Sequence, residues 1–238
     1  MPLTKSQIQR LGERLGHIEP PDPADLELLD EFEQSFEAAL HHVVRLIRGL
    51  GLDPTTRLKT RRSIVAKIRR QHTSLSRMQD IAGCRIVLED VMKQEEVLDR
   101  LRDLPWDGLE VDDRRLRPSH GYRAVHVIVT LDGRPVEIQV RTRLQDLWAQ
   151  VSEKMADRFG LDVKYGRGPA RVTEFLAELA DPIGKSEDVL LRLASYKVRY
   201  VGRDEELNPE LEALRTDVEE YQSDVGKRLN ELLVTLSS

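Results

Sequence analysis

The chain has 238 residues, of which 39% are hydrophobic, so it can bury one sizeable core with room for helical additions. Charged residues make up 33% of the chain but the net charge is only −5, which excludes a global polycationic surface for nucleic acid. The single cysteine, Cys84, lies in an apolar run and excludes a disulfide framework, so we expect a core residue and a reducing compartment. The polar start of the chain and its short apolar runs predict a soluble, cytoplasmic protein without a membrane partner.

The first elements in chain order are predicted to be helical. After the proline-rich segment Pro20–Pro23, apolar residues recur at helical spacing from Leu26 to Ile47, and Gly49 and Gly51 end the pattern. The basic stretch Arg57–Arg70 follows, and its narrow apolar side indicates a helix that packs by one face.

The middle of the chain alternates between strand and helix patterns. Asp80–Gly83 is interpreted as a helix end that leads into a strand at Cys84–Leu88. A helix is predicted from about Val91 to Leu104, then a short strand near Leu109–Val111, then a hairpin, and then a helix after Thr142. This order, with flanking helices, predicts an α+β domain with a largely antiparallel sheet.

The hairpin is the most specific of these predictions. Asp132–Gly133 lies between two runs of β-branched residues, which is typical of a two-residue turn. That turn predicts apolar pairs on one face, namely Val129 with Val136, Val127 with Ile138 and Val125 with Val140. Because successive side chains of a strand point to opposite faces, the other face carries Ile128, Glu137, His126, Gln139, Ala124 and Arg141.

This polar face has two interpretations. A solvent-exposed face of an antiparallel sheet is also polar, so the hairpin geometry does not distinguish the two. The residue types favour function, because an acid, an amide, a guanidinium, an imidazole and the nearby Tyr122 suit a metal, a phosphate chain and an aromatic base.

A long helix is predicted at the end of the chain. Asn208–Glu210 is a helix start, with Asn as the cap and Pro at the first helical position. Beyond it an apolar seam recurs at spacings of three and four residues, at Leu211, Leu214, Val218, Tyr221, Val225, Leu229 and Leu232. The helix either packs on its own domain or forms a homo-oligomer, and the first alternative is slightly favoured.

Two carboxylates indicate phosphate chemistry. Transfer of a phosphoryl or pyrophosphoryl group needs cations for the anionic chain, a metal ion and a base for the acceptor hydroxyl. Glu137 projects from the polar face and Asp80 precedes another strand, so the two acids could meet across strands and bind Mg²⁺. The alternatives are that Asp80 only ends a helix and that Arg57–Arg70 is a solvated basic face.

Five segments together resemble the synthetase domain of the RelA/SpoT alarmone enzymes, over about Thr55 to Lys154. They are Arg57-x-Lys59, Ser63-Ile64-x-x-Lys67, Asp80-Ile81-Ala82-Gly83-Cys84-Arg85, Gly121-Tyr122-Arg123-Ala124-Val125-His126 and Val136-Glu137-Ile138-Gln139-Val140-Arg141-Thr142. The resemblance implies a nucleotidyltransferase-like mixed sheet flanked by helices. It also implies transfer of the β,γ-pyrophosphate of ATP to the ribose 3′-hydroxyl of GDP or GTP, which gives (p)ppGpp and AMP.

The resemblance further implies a role for individual residues. Asp80 and Glu137 would be catalytic and hold Mg²⁺, with Glu137 also the base for the 3′-hydroxyl. ATP would be bound by Arg57 and Arg85 at the adenine, and by Lys59, Ser63 and Lys67 nearer the phosphates. The acceptor nucleotide would be bound by Tyr122, stacked on guanine, and by His126, Gln139, Arg141 and Asp146, the last at a position where the family carries Asp or Asn.

The resemblance also predicts the domain organisation. We expect an N-terminal helical segment at residues 1–54, a synthetase core at 55–165 and a C-terminal helical extension at 166–238. No adjacent His-Asp pair of the family's hydrolase domain occurs in the chain, so it is similar to the small synthetases, which make the product without destroying it. The acid after Trp148 is Glu153, one residue later than the family pattern, and its role is left open.

Two other functions remain open on the sequence. Arg114, Arg115 and Arg117 precede the acceptor-side tyrosine, and some small relatives pyrophosphorylate the 3′ end of tRNA, a polyanionic acceptor that such a cluster would suit. The second alternative is a nucleotide-binding sensor without turnover, which the retention of both Asp80 and Glu137 disfavours.

Overall fold

A five-stranded sheet carries half of the predicted site residues. The computed structural model describes residues 3–201 and 206–237. The strands lie in the order β1-β2-β5-β4-β3, and their bounds are β1 Thr55–Leu58, β2 Ala82–Leu88, β3 Gly108–Asp113, β4 Val125–Leu131 and β5 Arg134–Thr142. The predicted α+β fold, with a mostly antiparallel sheet flanked by helices, is confirmed.

Eight α-helices lie within the described ranges. They are α1 Lys5–His17, α2 Pro23–Gln34, α3 Glu37–Gly49, α4 Arg61–Gln71, α5 Val91–Arg102, α6 Arg143–Phe159, α7 Ala170–Tyr196 and α8 Pro209–Ser237. Within the described part of the chain, no helix combines the length and apolar character that a bilayer crossing requires.

The chain divides into two compact units, each made of separate segments. The first unit comprises Met1–Ile86, Leu101–Asp112 and His126–Gln139, and the second comprises Val87–Arg100, Asp113–Val125 and Val140–Ser238. The first contains the N-terminal helices and most of the sheet, whereas the second contains α5 to α8. The predicted three-part division of the chain stays a prediction.

The long helix predicted from Leu26 to Ile47 is wrong, because α2 and α3 are separated at Ser35 and Phe36. The Ser35 hydroxyl donates to the carbonyl oxygen of Phe32 at 2.5 Å, and the Phe36 amide bonds to the carbonyl of Glu33, three residues back. Such local bonds from serine compete with the helical ladder. The apolar spacing continues through the break because Phe36 remains buried.

The helix end predicted at Asp80–Gly83 is also wrong. A short 3₁₀ turn, Leu75–Arg77, is followed by a loop that carries Asp80, and β2 begins at Ala82. The sequence analysis missed strand β1, whose four residues are too few to show a strand period. β1 forms because it pairs antiparallel with β2, with Arg57 opposite Gly83 and Thr55 opposite Arg85.

The predicted hairpin turn is confirmed. Asp132 and Gly133 have φ angles of 51° and 71°, and two positive φ angles match the right-handed twist of flanking strands. On β5, Val136, Ile138 and Val140 are buried, whereas Glu137 and Gln139 between them are half-buried. The alternation agrees with the predicted faces, and the residue-by-residue register stays a prediction.

Helix α8 packs within its own unit. The Leu211 amide donates to the Asn208 side-chain oxygen at 2.9 Å, which confirms the predicted cap. Leu229 is 2% exposed in a cluster with α6 and α7, and Val225 and Leu232 pack against the same cluster. This half of the apolar seam therefore has an intramolecular partner, and self-association of the chain stays a prediction.

We expect Leu229→Ala to lower the free energy of unfolding by about 2–5 kcal/mol, because it leaves a cavity among α6, α7 and α8. Val234→Ala on the same helix is the matched control. Its side chain is 69% exposed, so we expect a change within about 0.5 kcal/mol. Urea unfolding followed by circular dichroism measures both, and equal stabilities of the two variants would contradict the packing described here.

Candidate active site

Two lysines hold the Asp80 carboxylate in the first unit. Lys59 Nζ donates to Asp80 Oδ2 at 2.9 Å, and Lys67 Nζ donates to the same oxygen at 2.8 Å. The Lys59 amide bonds to the Ile81 carbonyl at 2.8 Å, which continues the β1–β2 pairing and places Lys59 beside Asp80. Lys67 reaches the same carboxylate from α4, which buries Ile64 and Ile68.

These contacts determine the charge state of Asp80. Burial alone would raise its pKa, but the hydrogen bonds and charges of Lys59 and Lys67 outweigh burial and lower the pKa below its ordinary 3.8. Asp80 is therefore ionised at neutral pH. Because folding lowers this pKa, the stability that Asp80 contributes is complete above pH 3.8 and is lost as the pH falls through the folded-state value.

Glu137 on β5 is held by two other side chains. His126 Nδ1 donates to Glu137 Oε1 at 2.7 Å, and Gln139 Nε2 donates to Oε2 at 2.7 Å. Burial would raise the pKa of Glu137, but the bonds from His126 and Gln139 outweigh it and the pKa is lowered. All three residues lie on the polar face predicted from the hairpin, and Glu137 is ionised at neutral pH.

A cavity of about 170 Å³ brings together the two predicted metal residues and two of the five predicted ATP residues, Arg57 and Arg85. Its lining comprises Thr55, Thr56, Arg57, Asp80, Gly83, Cys84, Arg85, Glu137 and Gln139. The β1–β2 register places Arg57 and Arg85 on one face of this strand pair. A side chain at Gly83 would come within 2.9 Å of the Glu137 carbonyl oxygen, so the close approach of β2 and β5 requires glycine.

Cys84 lines this cavity, whereas Ser63 does not. Burial, with a smaller effect from Glu137, raises the pKa of Cys84 to about 12, so its thiol stays protonated as a core group. Ser63 lies in the first turn of α4, outside the cavity lining, and its hydroxyl accepts a hydrogen bond from Thr60 at 2.9 Å. The ATP contact of Ser63 stays a prediction.

The donor set fits Mg²⁺. Among the described residues, Asp80 Oδ1 is buried and has no hydrogen-bond partner, so this oxygen is available to a cation. Asp80 and Glu137 line the same cavity, and the negative charge of Asp80 acts to raise the pKa of Glu137. The described residues contain no group of three or more metal-binding side chains. Mg²⁺ ordinarily takes one or two carboxylates together with substrate phosphates, which these two acids match.

The other predicted acceptor residues meet in the second unit. Arg141 Nη1 donates to Asp146 Oδ1 at 2.9 Å, and Arg141 Nη2 donates to the Tyr122 hydroxyl at 3.1 Å. Asp146 Oδ2 also accepts from Gln150 at 2.8 Å. Burial would lower the pKa of Arg141, but Tyr122 and Asp146 outweigh it and raise that pKa. The guanidinium is thus charged, and it lies 5.3 Å from the centre of the Tyr122 ring.

A tight turn places Tyr122. The backbone of Tyr122 pairs with that of Ser119, and Gly121 between them has a φ of 87°. A side chain at Gly121 would lie 2.8 Å from both Ala180 and Trp148, so only glycine allows the turn to approach α6 and α7.

The basic cluster before Tyr122 is partly structural. Arg115 donates to Asp113 at 2.6 Å and forms a second ion pair with Glu95 at 2.5 Å. Its side chain is 13% exposed, so Arg115 serves the fold, and the surface cluster considered for a polyanionic acceptor retains Arg114 and Arg117. Arg114 lies 5.9 Å from the Tyr122 ring centre.

Sequence reasoning missed a buried polar network beside the acceptor residues. Gln94 Nε2 donates to the Val140 carbonyl and to Gln145 Oε1, and Glu187 accepts from Thr142 and Gln145. The Thr142-x-x-Gln145 capping box before an apolar run was readable from the sequence. Glu187 carries no local signal, because its partners lie more than 40 residues earlier in the chain.

Residues 56–158 match a family model described as the region found in RelA / SpoT proteins. An uncharacterized protein of Mycobacterium tuberculosis is 35% identical over 151 residues, which cover 61% of this chain and 55% of that protein. The GTP pyrophosphokinase YwaC of Bacillus subtilis is 31% identical over 144 residues, covering 53% of this chain and 65% of that protein. The chain thus spans about half the length of the mycobacterial relative.

Solved structures are similar in fold. Small alarmone synthetase 1 from Bacillus subtilis, bound to its product pppGpp, matches with a TM-score of 0.60 at 21% identity over 72% of this chain and 99% of that one. Another structure of that synthetase gives a TM-score of 0.57 at 22% identity, over 71% of this chain and 97% of that one. The resemblance recognised in the sequence is confirmed.

We expect Lys67→Met to raise the pKa of Asp80, because one of the two cations that lower it is removed. Loss of Asp80-dependent stability would then begin at a higher pH than in the unaltered protein. Carboxyl ¹³C chemical shifts followed through an acid titration measure the pKa. Lys227→Met, which removes an exposed lysine paired with Asp224, is the control and should leave the Asp80 titration unchanged. An unchanged Asp80 pKa in Lys67→Met would refute the coupling.

Proposed function

We propose that this protein, whose residues 56–158 match the model of the region found in RelA / SpoT proteins, is an ATP-dependent pyrophosphokinase. It transfers the β,γ-pyrophosphate of ATP to the 3′-hydroxyl of GDP or GTP, forming (p)ppGpp and AMP. The observation that carries the proposal is a single cavity lined by two ionised carboxylates, Asp80 and Glu137, with Arg57 and Arg85 beside them.

The proposed ATP side uses the cations of the first unit. Arg57 and Arg85 lie on one face of the β1–β2 pair, where two guanidinium planes can stack on the adenine. Lys59 and Lys67 bind the phosphates, with Ser63 nearby. Each ammonium has three donor hydrogens, so a lysine that holds Asp80 can also donate to a phosphate oxygen.

Asp80 and Glu137 would hold Mg²⁺, which supplies positive charge to the phosphate oxygens of ATP. Glu137 accepts the proton of the 3′-hydroxyl as the 3′-oxygen attacks the β-phosphorus. The bond between that phosphorus and the bridging oxygen to the α-phosphate breaks, and AMP leaves. The bonds from His126 and Gln139 fix the orientation of Glu137, and its lowered pKa keeps it deprotonated at neutral pH, the form that a base requires.

The proposed acceptor side includes Tyr122, Arg141 and Asp146, which are joined by hydrogen bonds. Tyr122 stacks on the guanine, and Asp146 accepts hydrogen bonds from the guanine edge. Arg141 fixes both side chains through the two bonds that it donates. His126 and Gln139 contact the acceptor in addition to their role at Glu137.

The protein is expected to transfer label from [γ-³²P]ATP to GDP or GTP in the presence of Mg²⁺, and to lose this activity in EDTA. Thin-layer chromatography of parallel reactions with GDP, GTP, GMP and deacylated tRNA distinguishes the alternatives. Labelling of tRNA alone would overturn the alarmone proposal in favour of a tRNA-modifying activity. Labelling of no acceptor would favour a nucleotide sensor.

Glu137→Gln should reduce transfer by at least about 100-fold, because the amide cannot accept the hydroxyl proton. Glu27→Gln is the matched control, since Glu27 is exposed on α2 and should leave the rate unchanged. Initial rates of AMP release measure both variants, and circular dichroism confirms that they fold. A Glu137→Gln protein with the unaltered rate would refute the assignment of the base.

A further inference from the structure

Glu187 of α7 is a buried carboxylate with both oxygens occupied. Its side chain is 4% exposed, although glutamate is rarely buried without partners. Oε1 accepts from the Thr142 hydroxyl at 2.6 Å, and Oε2 accepts from the Gln145 amide nitrogen at 2.8 Å. The matched family region ends at residue 158, so Glu187 belongs to a helix outside it.

The two partners of Glu187 form the corner between β5 and α6. Thr142 caps α6, and Gln145 bonds back to the Thr142 amide in a capping box. Thr142 directly follows Arg141 in the chain, and Gln145 directly precedes Asp146. The donors of Glu187 are therefore the chain neighbours of the Arg141–Asp146 ion pair, which spans the same corner at 2.9 Å.

Glu187 continues a stripe on α7 that also contacts the loop carrying Tyr122. Ala180, Gly184 and Glu187 are spaced by four and three residues, so they share one helix face. Ala180 packs against Gly121, and any side chain at Gly184 would overlap the Arg123 guanidinium. Gly121 and Arg123 flank Tyr122 on either side. One face of α7 thus contacts the chain on both sides of Tyr122 and at the Arg141–Asp146 corner.

We propose that Glu187 is a positioning residue for the acceptor nucleotide, acting through Thr142 and Gln145 on Arg141, Asp146 and the Tyr122 hydroxyl. The proposal rests on the proposed function and adds that α7 completes the acceptor side. The ATP-binding residues Arg57, Lys59 and Lys67 belong to the other unit and have no bond to Glu187 among the described contacts.

Glu187→Gln tests the proposal with minimal change in volume. Glutamine has one acceptor oxygen where glutamate has two. Its NH₂ group would therefore face a donor at either Thr142 or Gln145, and one of the two hydrogen bonds would be lost. The corner then loses its fixed geometry, and a displacement of about 1 Å in a substrate-positioning group can cost on the order of 100-fold in rate. The expected result is a KM for the acceptor raised about 10-fold, with the KM for ATP within about twofold of the unaltered enzyme.

Steady-state rates of AMP release measure both KM values. In one series the acceptor nucleotide that the unaltered enzyme uses is varied at saturating ATP, and in the other ATP is varied at a saturating concentration of that acceptor. Glu178→Gln is the matched control, because Glu178 is exposed on the same helix and should change neither KM. Thr142→Val is the second variant. It removes the donor to Oε1 and also the cap that the same hydroxyl provides for the Gln145 amide, and it should also raise the acceptor KM selectively, whether or not Glu187→Gln folds.

The outcomes separate this proposal from the function on which it rests. If the unaltered enzyme labels no acceptor, the proposed function fails and this inference fails with it. If that enzyme is active but both KM values rise equally in Glu187→Gln, or neither changes, the positioning role is overturned and the function stands. Failure of both Glu187→Gln and Thr142→Val to fold in thermal unfolding would also overturn it, because Glu187 would then serve stability alone.

Discussion

Burial of charge along strand β5 is the constraint from which both groups of site residues follow. β5 lies between β2 and β4, and it carries Glu137 and Arg141 on one face. A buried charge is tolerated only when ions or hydrogen bonds compensate its loss of solvation. Glu137 therefore needs His126 and Gln139, whereas Arg141 needs Asp146 and Tyr122. These partners fix the side chains in the orientations that catalysis and recognition would use.

The need to compensate buried charge also applies to the lysines near Asp80, which would have a second role under the proposed function. With no phosphate present, Lys59 and Lys67 neutralise a carboxylate that burial would otherwise protonate. When ATP binds under the proposed function, the same ammonium groups can donate to its phosphates while they keep Asp80 ionised. Under that proposal the positive charge is in place before ATP binds, so binding would require little reorganisation.

The C-terminal helices α7 and α8 pack around the residues predicted to bind the acceptor. Helix α8 buries Leu229 against α6 and α7, and α7 in turn contacts the loop of Tyr122 through Ala180 and Gly184. The sequence analysis predicted a C-terminal helical extension at residues 166–238, and its apolar seam showed that a helix needs a partner without identifying that partner. The packing makes α7 and α8 part of the unit that holds Arg141 and Asp146.

The sequence by itself determined the hairpin, its polar face and the resemblance to RelA/SpoT regions. A two-residue turn fixes which β5 side chains share a face, and each motif of the resemblance is a short continuous segment. It also determined the helix start at Asn208, where the cap is local. Only the tertiary structure decided that Arg115 pairs with Glu95, that β1 exists and that Glu187 accepts hydrogen bonds from Thr142 and Gln145. These features depend on contacts between distant segments, and local spacing carries no information about which segments meet.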